Sequence, residues 1–318
     1  MTNLTWSPFV VAALLVLIGY ASQRTSVCAV RGVREFIRNR RAHRMAGFAL
    51  AALTAMLTMA AARGFGIDAF AAIMARPLTL AAVGGGILFG VGASLNGHCA
   101  MGTLAALTAG DLSRLATLAA MVLGALWAMP VAAPMAMTLA SPLAAVTPAT
   151  IAAIAAPAAL LLGWYIRVRA GTGRTRSGWP PLAAMLVIGT ASGLLFALDA
   201  HWPYTGFLVE LAAGHVAGWQ TGAAGFAAVI TGMLIATVRA GRWRMAPGNA
   251  RQWTRAAAGG LLMGGGAAMV PGGNDAMLFT GVPLLLPNMI AAYAAFLITV
   301  AAIELLTARE LVGGGADG

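Results

Sequence analysis

Nine long apolar runs, nearly free of charge, occupy most of the chain: residues 6–22, 45–62, 78–95, 112–140, 149–166, 182–198, 221–238, 256–270 and 288–307. A helix of roughly 20 apolar residues crosses the ~30 Å hydrocarbon core of a bilayer. Charged residues make up 9% of the sequence and the mean hydropathy is +0.84. An ordinary soluble domain carries about 25% charged residues, so lipid is the solvent here. The runs and their short connections use up the 318 residues, which predicts one all-α integral membrane domain and no soluble domain. Arg24 is the first charged residue, so the first run lacks the basic n-region of a cleaved signal peptide and is expected to remain as a span.

The net charge of +11 comes from 20 basic residues, all arginine, against nine acids. A nucleic-acid face would gather such charge in one place. Instead the arginines sit in short segments between the apolar runs. The connection after the first run holds Arg24, Arg31, Arg34, Arg38, Arg40, Arg41 and Arg44; the one after the fifth holds Arg167, Arg169, Arg174 and Arg176; the one after the seventh holds Arg239, Arg242, Arg244, Arg251 and Arg255. With Arg114 and Arg309 these make eighteen on one side, leaving Arg63 and Arg76 on the other. Arginine-rich loops stay in the cytoplasm. The expected topology is therefore nine spans, N-terminus outside and C-terminus cytoplasmic.

Four connections are too apolar for plain aqueous loops: residues 26–37, 98–109, 204–213 and 274–286. Each is long enough for a helix of roughly 16–20 Å, about halfway through the hydrocarbon core. They read as re-entrant half-helices. Irregular backbone at that depth survives only where protein buries it or where it lines a watery cavity, so these segments mark a pathway.

The two halves resemble each other. Gly85-Gly86-Ile87-Leu88-Phe89-Gly90-Val91-Gly92-Ala93, followed by Gly97-His98-Cys99, matches Gly259-Gly260-Leu261-Leu262-Met263-Gly264-Gly265-Gly266-Ala267, followed by Gly272-Gly273-Asn274, with one inserted residue. Residues 1–140 and 182–318 are thus expected as two repeats, and residues 141–181 supply a linking span and loop. An odd span between the repeats turns the second upside down, the inverted repeat of many secondary transporters.

Two cysteines, Cys28 and Cys99, are too few for a disulfide framework and lack metal-site or Cys-x-x-Cys spacing. Asn96-Gly97-His98-Cys99 reads as a turn opening the half-helix that ends at Gly110. Thr25-Ser26 offers a cap just before Cys28. Both thiols thereby stand at helix N-termini, where free N–H groups and the helix dipole attract anions. A buried lone cysteine can also be simple packing. Arg31 and Arg34 could neutralise an anion near an exit, although orientation signalling already accounts for arginines there. In the second half, Pro271-Gly272-Gly273-Asn274-Asp275 precedes the segment ended by Gly281-Val282-Pro283, and Trp202-Pro203-Tyr204-Thr205-Gly206 precedes Glu210. Asp275 reads as a first-turn helix cap ahead of a proton carrier. His98, Asp199, His201, His215 and Glu304 are scattered singly, so neither a metal site nor a cofactor is expected.

The motif Asn96-Gly97-His98-Cys99-Ala100-Met101-Gly102, with Arg24-Thr25-Ser26-Val27-Cys28 upstream and Pro271-Gly272-Gly273-Asn274-Asp275 downstream, resembles the YeeE/YedE family of membrane proteins across nearly the whole chain. The resemblance implies bacterial thiosulfate uptake through an hourglass-shaped inverted-repeat fold, with cysteine thiols handing the anion along by S–H hydrogen bonds. It also implies a small sulfur-carrier protein as cytoplasmic partner. Cys28 and Cys99 match two of the family's functional cysteines, and Asn274 stands where a third can occur. The expected substrate-binding set is Cys28, Cys99, Asn274, His98, Asn96, Gly97 and Gly273. A transporter for a small sulfur-containing anion is the expectation. Its rivals are a membrane redox or sulfurtransfer protein that uses Cys28 and Cys99 covalently, and a purely structural partner of another complex.

Overall fold

The computed structural model describes residues 8–25, 27–67, 74–75, 77–132, 139–140, 142–169, 179–198, 203–214 and 219–313. Asp199, His201, Trp202, His215 and the cap expected at Ser26 lie outside these. Apart from one antiparallel pair of two-residue strands, β1 (Met74–Ala75) and β2 (Leu139–Ala140), and a 3-10 turn at Pro142–Ala145, the described elements are α-helical or π-helical.

Each apolar run becomes a long helix: α1 (Pro8–Thr25), α3 (His43–Gly64), α4 (Leu80–Asn96), α6 (Arg114–Ala132), α7 (Pro148–Arg169), α8 (Pro181–Leu198), α10 (Trp219–Arg239), α11 (Ala250–Met269) and α13 (Pro287–Gly313). Among the described residues seven helical stretches are long and apolar enough to cross a membrane: Pro8–Asn39, His43–Gly64, Leu80–Thr108, Pro148–Arg169, Pro181–Leu198, Trp219–Arg239 and Pro287–Ala308. The apolar part of α6 is shorter, Arg114–Pro130, and α11 opens with Arg251, Gln252, Thr254 and Arg255. The outer faces are greasy: Leu160, Leu161 and Trp164 of α7 are exposed, as are Leu123, Leu126 and Trp127 of α6. Apolar surface on this scale needs lipid around it. The protein is a multi-pass membrane protein.

Between the long helices lie the short ones: α2 (Ala29–Asn39), α5 (Ala100–Thr108), α9 (Tyr204–Ala212) and α12 (Asn274–Ala276). The last departs from expectation. The sequence predicts a half-helix over 274–286, but after one α-turn the chain widens into a π-helical stretch, Met277–Gly281, with Val282 N–H donating to Met277 O (2.9 Å) and Leu286 N–H to Gly281 O (2.9 Å). Pro283 has no N–H to give to the carbonyl four residues back, so a regular α-helix cannot pass through it. The helix after Cys28 also starts later than expected, at Ala29, because Cys28 is extended.

Helix contacts come in matched pairs. α1 packs on α10 as α8 packs on α3; α13 packs on α4 as α6 packs on α11; α2 lies against α13 as α9 lies against α6; α5 meets α10 as the π stretch meets α3. Contacts that join counterparts include α1 with α8, α4 with α11 and α5 with α12. The glycines show why α4 and α11 come so close. A Cβ on Gly92 would lie 2.6 Å from Gly259 O, and one on Gly259 would lie 2.7 Å from Gly92 O. The same exchange joins Gly85 and Gly266, at 2.9 and 2.5 Å. Position rises along α4 as it falls along α11, so the two run antiparallel with backbones in contact, as small residues permit in membrane helices.

A candidate anion site at converging helix N-termini

Cys28 is the N-cap of α2 and Cys99 the N-cap of α5, and neither thiol caps its own helix. They cap each other's. Cys99 Sγ accepts from Ala29 N–H, the first residue of α2, at 3.2 Å, and Cys28 Sγ accepts from Cys99 N–H at 3.5 Å. Both residues are buried, at 2% and 1% exposure. Gly102 makes the approach possible: a Cβ there would sit 2.7 Å from Cys28 Sγ. Glycine at the third position of α5 is thus a packing requirement for the neighbouring thiol.

Asn274, from the far half of the chain, joins the same point. Its Oδ1 accepts from Ala100 N–H at 3.1 Å, so it caps α5 in trans. It is buried, and its Nδ2 group donates to nothing among the described residues. One residue on, Asp275 caps α9: its carboxylate accepts from Thr205 N–H at 3.3 Å and from the Thr205 hydroxyl, which itself accepts from Gly273 N–H at 2.7 Å. Asp275 is expected to cap its own helix, but it caps the neighbouring short one. Two reciprocal pairs, α2 with α5 and α9 with α12, therefore meet through Asn274.

The other expected residues shape this junction. Gly97 has φ +75° and ends α4 in the left-handed region, a conformation that suits glycine at a helix C-terminus. Gly273 is the extended N-cap of α12. His98 is partly buried, with Nδ1 3.4 Å from Asn96 O. Asn96 is fully engaged: Nδ2 donates to Thr103 Oγ1 (2.8 Å) and His98 O (3.1 Å), and Oδ1 accepts from Arg114 Nη1 (2.6 Å) and Thr117 Oγ1 (2.9 Å). It braces the turn between α4 and α5.

Arg114, which in the sequence counts only as an orientation signal, is a buried part of that brace. Its Nη1 also donates to Asn96 O (2.7 Å) and its Nε to Asp111 Oδ2 (2.8 Å). At the turn before α6, burial works against ionisation of Asp111. The Ser113 hydroxyl and the Arg114 guanidinium outweigh it and hold the carboxyl below the usual carboxylate range. A signal for Arg114 existed, since Asp111 stands three residues before it at the mouth of an apolar run; Thr205 lies in the turn motif before α9, but its bonds to Asp275 and Gly273 are not marked locally.

What meets at the junction is a set of N–H-rich helix starts, two soft thiols and one amide donor. Such a group can hold an anion without a metal, and no cluster of metal-ligating side chains occurs among the described residues. Comparison with individually curated proteins gives no match. The model of the sulphur transport family matches residues 24–302, which takes in Cys28, Cys99 and Asn274 with the helices that position them. The chain belongs to the YeeE/YedE family of sulphur transport proteins, and is with it a carrier of sulfur compounds.

Proposed function

We propose that the protein carries thiosulfate, or an anion of the same shape and charge, inward across a bacterial inner membrane past Cys28, Cys99 and Asn274. The observation that carries this is the reciprocal capping of α2 and α5 by each other's thiols at the point where Asn274 arrives. Each helix N-terminus presents roughly +0.5 of an elementary charge, and α2 and α5 bring theirs into one buried region, while that of α9 is met by Asp275. Thiols are weak, polarisable partners, so an anion can displace their backbone contacts and leave again, as conduction through successive sites requires. The free Nδ2 group of Asn274 offers a stronger donor at the outer step. Two buried hydroxyls without a hydrogen-bond partner among the described residues, Tyr204 and Tyr293, lie within electrostatic reach of Cys99 and suit the oxygens of an oxyanion.

In this reading nine helices span the membrane, the four short segments re-enter it, and residues 1–140 and 182–318 form inverted repeats joined by 141–181. The matched helix contacts support that arrangement. Asn96, Gly97 and Gly273 position the site, His98 borders it, and the anion passes on to a small cytoplasmic sulfur-carrier protein.

The test is the initial rate of radiolabelled thiosulfate uptake into proteoliposomes, with sulfate and sulfite as competitors. Saturable uptake that sulfate competes for poorly is expected. Absence of uptake above protein-free liposomes would end the proposal. The proximity of the two thiols keeps a covalent sulfurtransfer reading in view. It requires a persulfide or disulfide on Cys28 or Cys99 after turnover, which intact-protein mass spectrometry detects; the transport reading requires an unchanged mass.

A further inference from the structure

One turn along α2 from Cys28, a cavity of about 330 Å³ opens, lined by Arg31, Arg34, Glu35, Arg38, Asn39 and Arg44. Most of its arginines are already committed. Arg34 gives Nε and Nη2 to Glu304 Oε1 of α13 at 2.8 and 2.6 Å, Arg38 pairs with Glu304 Oε2 at 3.2 Å, and Arg44 pairs with Glu35 at 2.5 Å. Arg31 is different. It is exposed and has neither an ion-pair partner nor a side-chain hydrogen bond among the described residues, while its charge acts on both Cys28 and His98. Four arginines less Glu35 and Glu304 leave a net charge of two positive around the cavity.

Orientation signalling explains why arginines are on this side, but not why they line one cavity with their forks held by carboxylates. Glu304 is buried at 4% exposure, and together with Glu35 it fixes the guanidinium planes of three arginines. A held guanidinium is a pre-organised fork for oxyanion oxygens. We propose that this cavity is a binding site for small dianionic oxyanions of the sulfate and thiosulfate class, with Arg31 as its principal ligand. Resting on the transport reading, it is the station where an anion leaving the thiols is received before it enters the cytoplasm.

The experiment is equilibrium binding of radiolabelled inorganic sulfate to the full chain in nanodiscs of phosphatidylcholine, for the parent, Arg31→Gln, Arg31→Lys and the double variant Cys28→Ala/Cys99→Ala. Arg31 has no side-chain partner to lose among the described residues, so both of its variants are expected to fold, and thermal unfolding of each checks this. Binding should be weakened about tenfold or more in Arg31→Gln, restored in part in Arg31→Lys, reduced by added salt, and retained in the double cysteine variant. Equal binding by parent and Arg31→Gln would overturn the proposal, as would loss of binding in the cysteine variant alone, which would place the ion at the thiols. A lipid phosphate offers similar oxygens, so the titration is repeated with phosphatidylglycerol in the disc. Abolition of sulfate binding there would assign the cavity to lipid and overturn the proposal. Because sulfate binding is read without transport, failed thiosulfate uptake and failed binding at Arg31 remain separate results.

Discussion

Cys28 and Cys99 each accept from a backbone N–H at the start of the other's helix, so a substitution there tests two things together: sulfur chemistry and capping. Serine separates them, because its hydroxyl keeps an acceptor in nearly the same place. Cys28→Ser and Cys99→Ser are each expected to lower initial thiosulfate uptake about tenfold, the equivalent of ~1.4 kcal/mol, with little change in unfolding temperature. Uptake at the parental rate in the double serine variant would remove the thiols from the mechanism. Asn274 makes a sharper case. Asn274→Cys loses the oxygen that caps α5, at about 1 kcal/mol of stability, but keeps a donor at the station and should keep uptake. Asn274→Asp keeps the cap and adds a negative charge beside Asp275, so uptake should fall steeply while stability holds. Transport by the aspartate variant at the parental rate would show that the anion does not pass Asn274. Asp111 carries a pH prediction. A carboxyl held below its usual value in the folded state adds stability that is fully present above its unfolded value of about 3.9 and is lost as pH falls through the lower folded value. The gap in unfolding temperature between the parent and Asp111→Asn should therefore be constant from about pH 8 to about pH 5 and shrink below about pH 4. A gap that persists undiminished in acid would assign the effect to the Ser113 contact alone.

Short helices in this protein derive their positions from long ones. α4 and α11 approach at Gly92 with Gly259 and at Gly85 with Gly266, where a Cβ would run into the opposite backbone. Both helices end beside the site, α4 in the Asn96–Gly97 turn before α5 and α11 in the turn before α12. Forcing them apart therefore misplaces Cys99 and Asn274 together. Gly259→Leu is expected to destabilise by roughly 1–3 kcal/mol, as overpacking does, and to reduce uptake by more than its loss of folded protein explains. Gly163 in α7, whose added Cβ meets nothing within 4 Å, is the control. Gly163→Ala should leave both quantities near parental values. A parental unfolding temperature for Gly259→Leu would contradict the close crossing.

Arginine distribution sets the expected orientation of the entire chain, with eighteen on one side and two on the other. Reporter fusions after residues 44, 145, 175 and 318 should score cytoplasmic, outside, cytoplasmic and cytoplasmic. A cytoplasmic score after residue 145 would break the nine-span topology and with it the inverted relation of the halves. In that topology the free cavity arginine, Arg31, and the cysteine-bearing helix starts lie on the path to the cytoplasm, and Asn274 is met first from outside.

Much of this was legible in the chain because a bilayer imposes strong rules. Length and hydropathy mark each helix, and glycine and capping residues mark where the short segments start. Cys28, Cys99 and Asn274 could be singled out because each follows turn residues and opens an apolar segment. Their union could not. Cys28 and Cys99 are joined by contacts across 71 positions and Asn274 reaches α5 across 174, distances over which sequence patterns are silent and packing decides. The same holds for Arg114, a loop charge by position that burial turns into the brace of Asn96, and for Thr205, whose hydroxyl matters only once α9 has folded against α12. The π-helical turn after Ala276 belongs here as well: Pro283 forbids a regular helix, but widening instead of stopping depends on the neighbours that bury Met277, Leu278 and Phe279. Local chemistry selects what each segment can be; the packing of distant segments selects which of their groups meet.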